Sequence, residues 1–464
     1  MKEKKEKKDP IQYQTTKAER FNYGLYFLGQ LISYGLVVQF MTLYMTDMGI
    51  PAISASVILI ITKVWDAVND PLFGVIVDKA HPKGGKYIPW VRLSTYLIAI
   101  TTTLLFSAPA GFSASLKAVW VTVGYVLWDT AYTMCDVPIF ALATSMTDDL
   151  DERNRLYIVN RYFTLLGAIV VVMAVPMLYP KIGWAMTALV LSLFAMATMI
   201  PIGYTAKERV FTETEKNPSI KELLNYLLHN KPLLIFSGAC IVSSILSTGS
   251  VASNYVALYC LGSSDWITYI ALITSLPMLI TIVAVQAIIK KVDKYYIYIG
   301  SCAITMALGI VQYFVGYENQ VVFALLAALK SVFSAAAAAV VVMLTADCAE
   351  YGHFTTGERA QGVAFSVQTF TAKFTAAISS SMGMLLLGLA GFVEGENAVQ
   401  TADTVQKIWG MYTLIPVISG TAALLIMVFF YKLRTPEVEI MTRANNGELS
   451  HEEAERLLAE RRNG

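Results

Sequence analysis

The chain is dominated by long apolar runs separated by short polar stretches. Runs long enough for a helix to cross a bilayer core of about 30 Å, about 20 residues, begin near Tyr23, Ser54, Val91, Ala118, Tyr157 and Trp184. After one longer polar stretch they resume near Lys231, Trp266, Tyr295, Gln320, Gly362 and Ile408. The pattern predicts an all-α membrane protein with 12 transmembrane helices, six on each side of the polar stretch. The fourth and tenth runs are the least clean, because acids interrupt them.

Lysine and arginine orient the spans. Lys79, Lys83 and Lys86, Arg153 and Arg155, Lys207, Arg209, Lys216 and Lys221, Lys290, Lys291 and Lys294, and Arg359 all fall in one set of loops. The opposite set holds only Lys117, Lys181 and Lys407. A multi-pass protein of the plasma membrane with both termini cytoplasmic is expected. Its predicted parts are an N-terminal tail over 1–22, a six-helix bundle over 23–204, a middle loop over 205–231, a second bundle over 232–432 and a C-terminal tail over 433–464. In the middle loop, Ile220, Leu223, Leu224, Tyr226, Leu227 and Leu228 follow helical spacing, which predicts an amphipathic surface helix. The tail from Pro436 onward is charged, is expected to be partly helical from Ser450, and carries no assigned chemistry.

Composition agrees. Apolar residues are 56% of the 464 and charged residues 15%, too little charge to cover a soluble domain of this length. The basic residues form short blocks between apolar runs, a topology signal rather than a nucleic-acid surface. Cys135, Cys240, Cys260, Cys302 and Cys348 lie in or beside apolar runs without metal-ligand spacing, and read as buried thiols. The segment from Met1 to Lys8 lacks the apolar core and cleavage site of a secretory signal and reads as a retained tail. A faint repeat is visible: Val77-Asp78-Lys79 follows the second run and Val292-Asp293-Lys294 the eighth, while Asp148-Asp149 close the fourth and Asp347 and Glu350 the tenth. It favours two repeated bundles around a central cavity.

A charge at mid-membrane costs at least about 2.5–3.5 kcal/mol, so each one points to a function. In the second run Lys63, Asp66 and Asp70 share one helical face, with Asn69 three residues after Asp66. Two carboxylates and an amide oxygen suit a small cation. The alternative is a buried ion-pair network. In the fourth run Asp129, Thr133, Asp136 and Phe140 stack on one face beside Tyr132. Carboxylates for hydroxyls with an aromatic ring for an apolar face suit a sugar. Arg161, Lys330 and Lys373, the last near Gln368 and Thr369, place basic groups in the fifth, tenth and eleventh runs. They balance the acids or donate to a solute; Lys330 also reads as a helix-packing cation. The loop from Gly74 through Asp78-Lys79 to Lys83-Gly84-Gly85-Lys86 reads as a cytoplasmic gate latch or a solvated loop.

These residues carry a resemblance. Gly74 to Lys86 resembles the loop signature of the major facilitator superfamily. Trp65-Asp66-Ala67-Val68-Asn69-Asp70-Pro71, with Gly85-Lys86 and Pro89-Trp90, resembles the glycoside-pentoside-hexuronide:cation symporters typified by melibiose permease. Tyr132-Thr133-Met134-Cys135-Asp136-Val137-Pro138, Ala346-Asp347 with Glu350-Tyr351-Gly352, and Ser366-Val367-Gln368-Thr369 with Lys373 fit the same family. The resemblance implies two six-helix bundles working by alternating access. It implies a cation site at Asp66, Asn69, Asp70 and Thr133. It also implies a sugar pocket at Asp136, Arg161 and Lys373, with Tyr132, Gln368 and Thr369 as neighbours and Lys63 as a basic cavity residue. Gating or coupling falls to Lys63, Gly74, Asp78, Lys86, Asp347, Glu350 and Arg359. Four positions depart: Gln30-Leu31 stand where the melibiose carriers have a lysine-aspartate pair, Phe140 replaces a tryptophan, and Asp129 replaces a small residue. Asp129 is a candidate substitute carboxylate.

The expectation is a sugar symporter coupled to sodium, or to a proton, monomeric and without a resident cofactor. The rivals are a sodium-dependent lysolipid carrier on the same fold and a non-transporting membrane sensor. No motif for an enzyme is present.

Overall fold

A computed structural model describes residues 14–80, 82–210, 226–357, 361–395 and 398–463. All regular elements in these residues are helical. They run α1 Lys17–Asp47, α2 Ala52–Lys79, α3 Ile88–Leu105, α4 Ala114–Met146, α5 Leu150–Thr205, α6 Lys231–Ile245 and α7 Gly249–Tyr255. There follow α8 Asp265–Ile288, α9 Lys294–Val315, α10 Gln320–Thr356, α11 Gln361–Leu389, α12 Ala402–Thr413, α13 Ile415–Phe430, α14 Thr435–Asn445 and α15 His451–Asn463.

Among the described residues nine helical stretches are long and apolar enough to cross a membrane. One of these, Glu152–Thr205, is 54 residues long. Gly183 breaks it at φ 75° and ψ 167°, so it provides two spans, as the runs at Tyr157 and Trp184 predict. Pro180, in the preceding turn, weakens the same point by withholding an amide. The acid-bearing α4 and the Pro277-containing α8, 33 and 24 residues long, are also long enough to span. The helices therefore accommodate the twelve spans.

The chain forms two compact units, Met1–Ile50 with Ile61–Glu215 and Pro51–Ile60 with Lys216–Gly464. In the first, α1 lies tightly along α5. A Cβ at Gly24 would overlap Phe163 and Val159 at 2.5 and 2.6 Å, and one at Gly29 would overlap the Ala195 carbonyl and Thr198. Small residues at such a crossing give the close approach on which helix association in lipid depends. At the start of α1 the Thr16 hydroxyl accepts from the Glu19 amide (3.2 Å) while the Glu19 carboxylate accepts from the Thr16 amide (2.7 Å), a capping box. At the opposite end of the unit the Trp184 indole donates to Asp47 at 3.0 Å and stacks on Tyr179.

The residues just after α5 stitch this unit together. Arg209 grips the buried Glu19 with two hydrogen bonds of 2.9 and 3.0 Å, and its amide donates to the Ser145 carbonyl at 2.7 Å. Glu208 reaches the start of α3, where its carboxylate accepts from the amides of Lys86, Tyr87 and Ile88 at 2.7, 2.7 and 2.8 Å. A carboxylate on these otherwise unpaired donors stabilises both their hydrogen bonding and the helix dipole.

In the second unit Phe236, Leu344, Cys348 and Tyr431 form a core that Val438, Met441 and Leu458 of the tail complete. The tail is thus docked, and helical from Thr435 rather than only from Ser450. Asp293 accepts from the amides of Tyr295 and Thr435, each at 2.8 Å, and Asn445 donates to the Glu350 carboxylate at 2.9 Å. Of the expected middle-loop helix, only 226–229 lie among the described residues, and they are helical.

Candidate functional site

The first unit gathers most of the predicted polar residues where α2 meets α4. Asn69, buried on α2, donates from Nδ2 to the Thr133 hydroxyl of α4 at 2.8 Å and toward the Asp129 carbonyl at 3.5 Å. The Thr133 hydroxyl donates to Asp70 Oδ1 at 3.0 Å. Three of the four predicted cation ligands thus form one hydrogen-bonded chain. Asp66 turns elsewhere, toward the Lys63 ammonium at 3.5 Å on its own helix. The Trp65 indole, donating to Thr130 at 3.2 Å, holds the two helices in this register.

The chemistry of this chain is simple. The Thr133 proton bridges to Asp70, so any cation held here would have to displace that hydrogen bond to reach the Asp70 and Thr133 lone pairs. Asn69 presents its nitrogen to Thr133; turning its amide supplies oxygen instead. One carboxylate and two neutral oxygens, with Asp66 nearby on the same helix, fit a small monovalent cation better than an organic ion.

One turn further along α4, Asp136 accepts from Gln30 Nε2 of α1 at 2.7 Å. Gln30 is 3% exposed, so this hydrogen bond is made away from bulk water. Tyr132 stacks on Trp128 with centroids 5.3 Å apart and lies 5.1 Å from the Tyr34 ring. Phe140 packs 5.2 Å from Phe27 yet remains exposed. Between them Pro138 withholds an amide from the Met134 carbonyl, which loosens α4 beside Asp136. Asp129 is buried beside the Asn69 end of the cluster. Arg161 is exposed on α5, outside these hydrogen bonds.

The second unit carries the remaining predicted contacts on α11. Lys373 is exposed, and Thr369 donates to the Phe365 carbonyl at 3.0 Å. The Gln368 side-chain oxygen is buried with no hydrogen-bond partner among the described residues. Lys330 donates to Gln312 at 2.9 Å and lies 4.5 Å over the Tyr412 ring, so its role as a packing cation accounts for it.

Of the gating candidates, Gly74 and Asp78 lie in the last turns of α2. Lys86 gives its amide to Glu208 and its ammonium stands 5.4 Å over Tyr87. Asp347 pairs with Lys294 at 2.6 Å, and Glu350 is held by Asn445. Arg359 lies outside the described residues. The residue missed was Glu208, whose partners lie 120–122 residues away in sequence. Its only trace was an acid set between Lys207 and Arg209 in a basic loop.

Residues 22–435 match the family described as MFS/sugar transport protein, most of the chain's 464 residues. This chain belongs to the MFS/sugar transport protein family. As a member of that family it is a multi-pass membrane protein of the major facilitator fold. It is 26% identical over 450 residues to the isoprimeverose transporter of Lactiplantibacillus pentosus, covering 91% of this chain and 90% of that one. It is 24% identical over 439 residues to the glucuronide carrier protein homolog of Escherichia coli strain K12, covering 91% and 94%. The motif resemblance to the glycoside-pentoside-hexuronide:cation symporters is borne out by this match. In fold, this family member is similar to a bacterial homologue of the iron transporter ferroportin in the inward-facing state, with a TM-score of 0.66 over 89% of this chain and 99% of that one. The nucleoside transporter NupG is similar at 0.62 over 89% and 100%. At 14% identity each, these likenesses concern the fold alone.

Proposed function

We propose that this chain is a secondary active transporter that carries a sugar (a glycoside, pentoside or hexuronide) together with a cation by alternating access. The observation that carries the coupling is the Asn69–Thr133–Asp70 chain, one helical turn from the Gln30–Asp136 pair. Because Thr133 and Asp136 share one turn of α4, displacing the Thr133–Asp70 hydrogen bond repositions the helix that presents Asp136. Sodium is favoured over a proton, since Asn69 and Thr133 add neutral oxygens that proton carriage does not need. Lys63 serves as a tethered counter-ion for Asp66. In this reading Asp136, Tyr132, Phe140 and Gln30 contact the sugar, with Arg161, Lys373, Gln368 and Thr369 contributing further hydrogen bonds. Gly74, Asp78, Lys86, Asp347, Glu350 and Arg359 serve gating. The distribution of basic residues supports cytoplasmic termini, and a monomer suffices.

The test is thermal unfolding of the purified protein against glycosides, pentosides and hexuronides, each in sodium and in choline. A ligand that binds only the native state raises the midpoint. One sugar class is expected to stabilise, and more so in sodium. Equal stabilisation in choline would move the coupling to protons or to none, and stabilisation by a lysolipid alone would overturn the substrate. We further propose that Asp129 supplies a sugar-binding carboxylate. Asp129→Asn is then expected to abolish the sugar shift, and an unchanged shift would remove Asp129 from the pocket.

A further inference from the structure

The helix that carries Asp66, Asn69 and Asp70 begins in the second unit. Residues 51–60 cluster there, and the remainder of α2 belongs to the first unit. The start of α2 cannot cap itself. The Pro51 carbonyl accepts from the Ala55 amide at 2.9 Å, so a proline fills the cap position, with no side-chain acceptor to offer. The Ala52 amide donates instead to the Glu394 carboxylate at 2.8 Å, from 342 residues away in sequence. Ala52, Ala55 and Ser56 are buried. Gly388, in the last turn of α11, lies against the same helix start. A Cβ there would stand 2.6 Å from Ile53 Cγ1 and 3.1 Å from the Ile53 nitrogen.

The loop that presents Glu394 is braced. Gln400 holds the adjoining Val393 twice, accepting from its amide at 2.9 Å and donating to its carbonyl at 2.7 Å. Phe392 is buried edge-to-face against Tyr255 and Tyr259, at 5.2 and 5.5 Å. The Thr404 hydroxyl donates toward the Gly391 carbonyl at 3.3 Å. A side chain fixed at its base loses little freedom when it takes a partner. Its negative charge also sits at the positive end of a helix. Glu396, two residues on, lies outside the described residues.

We propose that Glu394 is a positioning residue of the transport cycle: a charged latch that keeps the start of α2 on α11 and sets how often it releases. The proposal rests on the alternating-access reading, in which the helix bearing the cation residues has to move. One charge-assisted hydrogen bond is strong enough to bias such an equilibrium and weak enough to break within it.

The test needs neither sugar nor sodium, so its failure is distinct from a failure of that reading. Ser56→Cys, a near-isosteric change at a position 4% exposed, reports release of the helix start. The full-length protein in neutral detergent is reacted with N-ethylmaleimide, and labelling is followed by mass spectrometry of the peptide carrying residue 56. On this background Glu394→Ala is expected to speed labelling about fivefold, and Glu394→Gln, which keeps an acceptor oxygen, at most about twofold. Gln400→Ala is expected to act in the same direction by less. The double variant should label no faster than Glu394→Ala alone, because Gln400 acts through Glu394. Faster labelling in a protein that no sugar stabilises would keep the latch and remove the sugar. Labelling of Glu394→Ala at the parent rate would overturn the proposal. Hydrogen exchange rising equally along all of α2 and α11 in that variant would also overturn it, because the contact would then hold the fold together rather than release.

Discussion

Asp70→Asn is expected to abolish the enhancement of sugar binding by sodium while leaving sodium-free sugar binding within about twofold. The substitution keeps the size of the side chain, and its amide oxygen still accepts from Thr133, so the register of α2 on α4 survives. What it removes is the full charge that a monovalent cation requires in a region of low dielectric. A hydrogen bond or contact to a charged group is worth about 1.5–3 kcal/mol, so cation affinity should fall by roughly 10- to 150-fold. Coupling between the two ligands is reciprocal; the loss must therefore appear both as weaker sodium binding in the presence of sugar and as sodium-independent sugar binding. Isothermal titration with each ligand in turn measures both. If the sodium enhancement persists in Asp70→Asn, the cation lies elsewhere and the Asn69–Thr133–Asp70 chain is a packing device.

Glu208→Ala is expected to destabilise the first unit by about 3 kcal/mol and to free the loop before α3. The Glu208 carboxylate accepts three amide hydrogen bonds, from Lys86, Tyr87 and Ile88. Charge-assisted bonds at a helix start are among the stronger ones. Water reaches this half-buried site and recovers part of the loss, so the total stays well below three full bonds. Glu208→Gln keeps one acceptor oxygen and should cost about half as much. Hydrogen exchange gives the direct reading, because the amides of Lys86, Tyr87 and Ile88 should then exchange at least about tenfold faster. Unchanged exchange would mean that Glu208 does not hold the loop. The loop carries Gly85 and Lys86, so a transport defect in the same variant would link the residues after α5 to the gate.

The parts of this protein that were legible in its sequence are those set by local chemistry. An apolar run of span length is visible residue by residue, since the bilayer imposes the length and the helix satisfies its own backbone. That is why the break at Gly183, between the runs of α5, matches the boundary read from the runs. Intramembrane acids are equally visible, because their cost in hydrocarbon singles them out before any partner is known. Lys63, Asp66, Asn69 and Asp70 lie within eight residues of one helix, so their shared face follows from helical geometry.

Other features depend on which helices meet. Gln30 and Asp136 are 106 residues apart, and nothing in the apolar stretch around Gln30 marks it as a donor to that carboxylate; only a family resemblance drew attention to it. The division of the acids, with Asp70 on Thr133 and Asp66 on Lys63, is a matter of side-chain distances across α2 and α4. The docking of the tail rests on Val438, Met441 and Leu458 finding a core built by α6, α9 and α10. Glu208 is the clearest case: in the sequence it is one acid in a basic loop, and in the structure it holds three amides where a distant helix begins. Hydropathy and helical spacing act within a few turns of chain and are written along it. The pairing of a donor with an acceptor a hundred residues away exists only once the helices have packed.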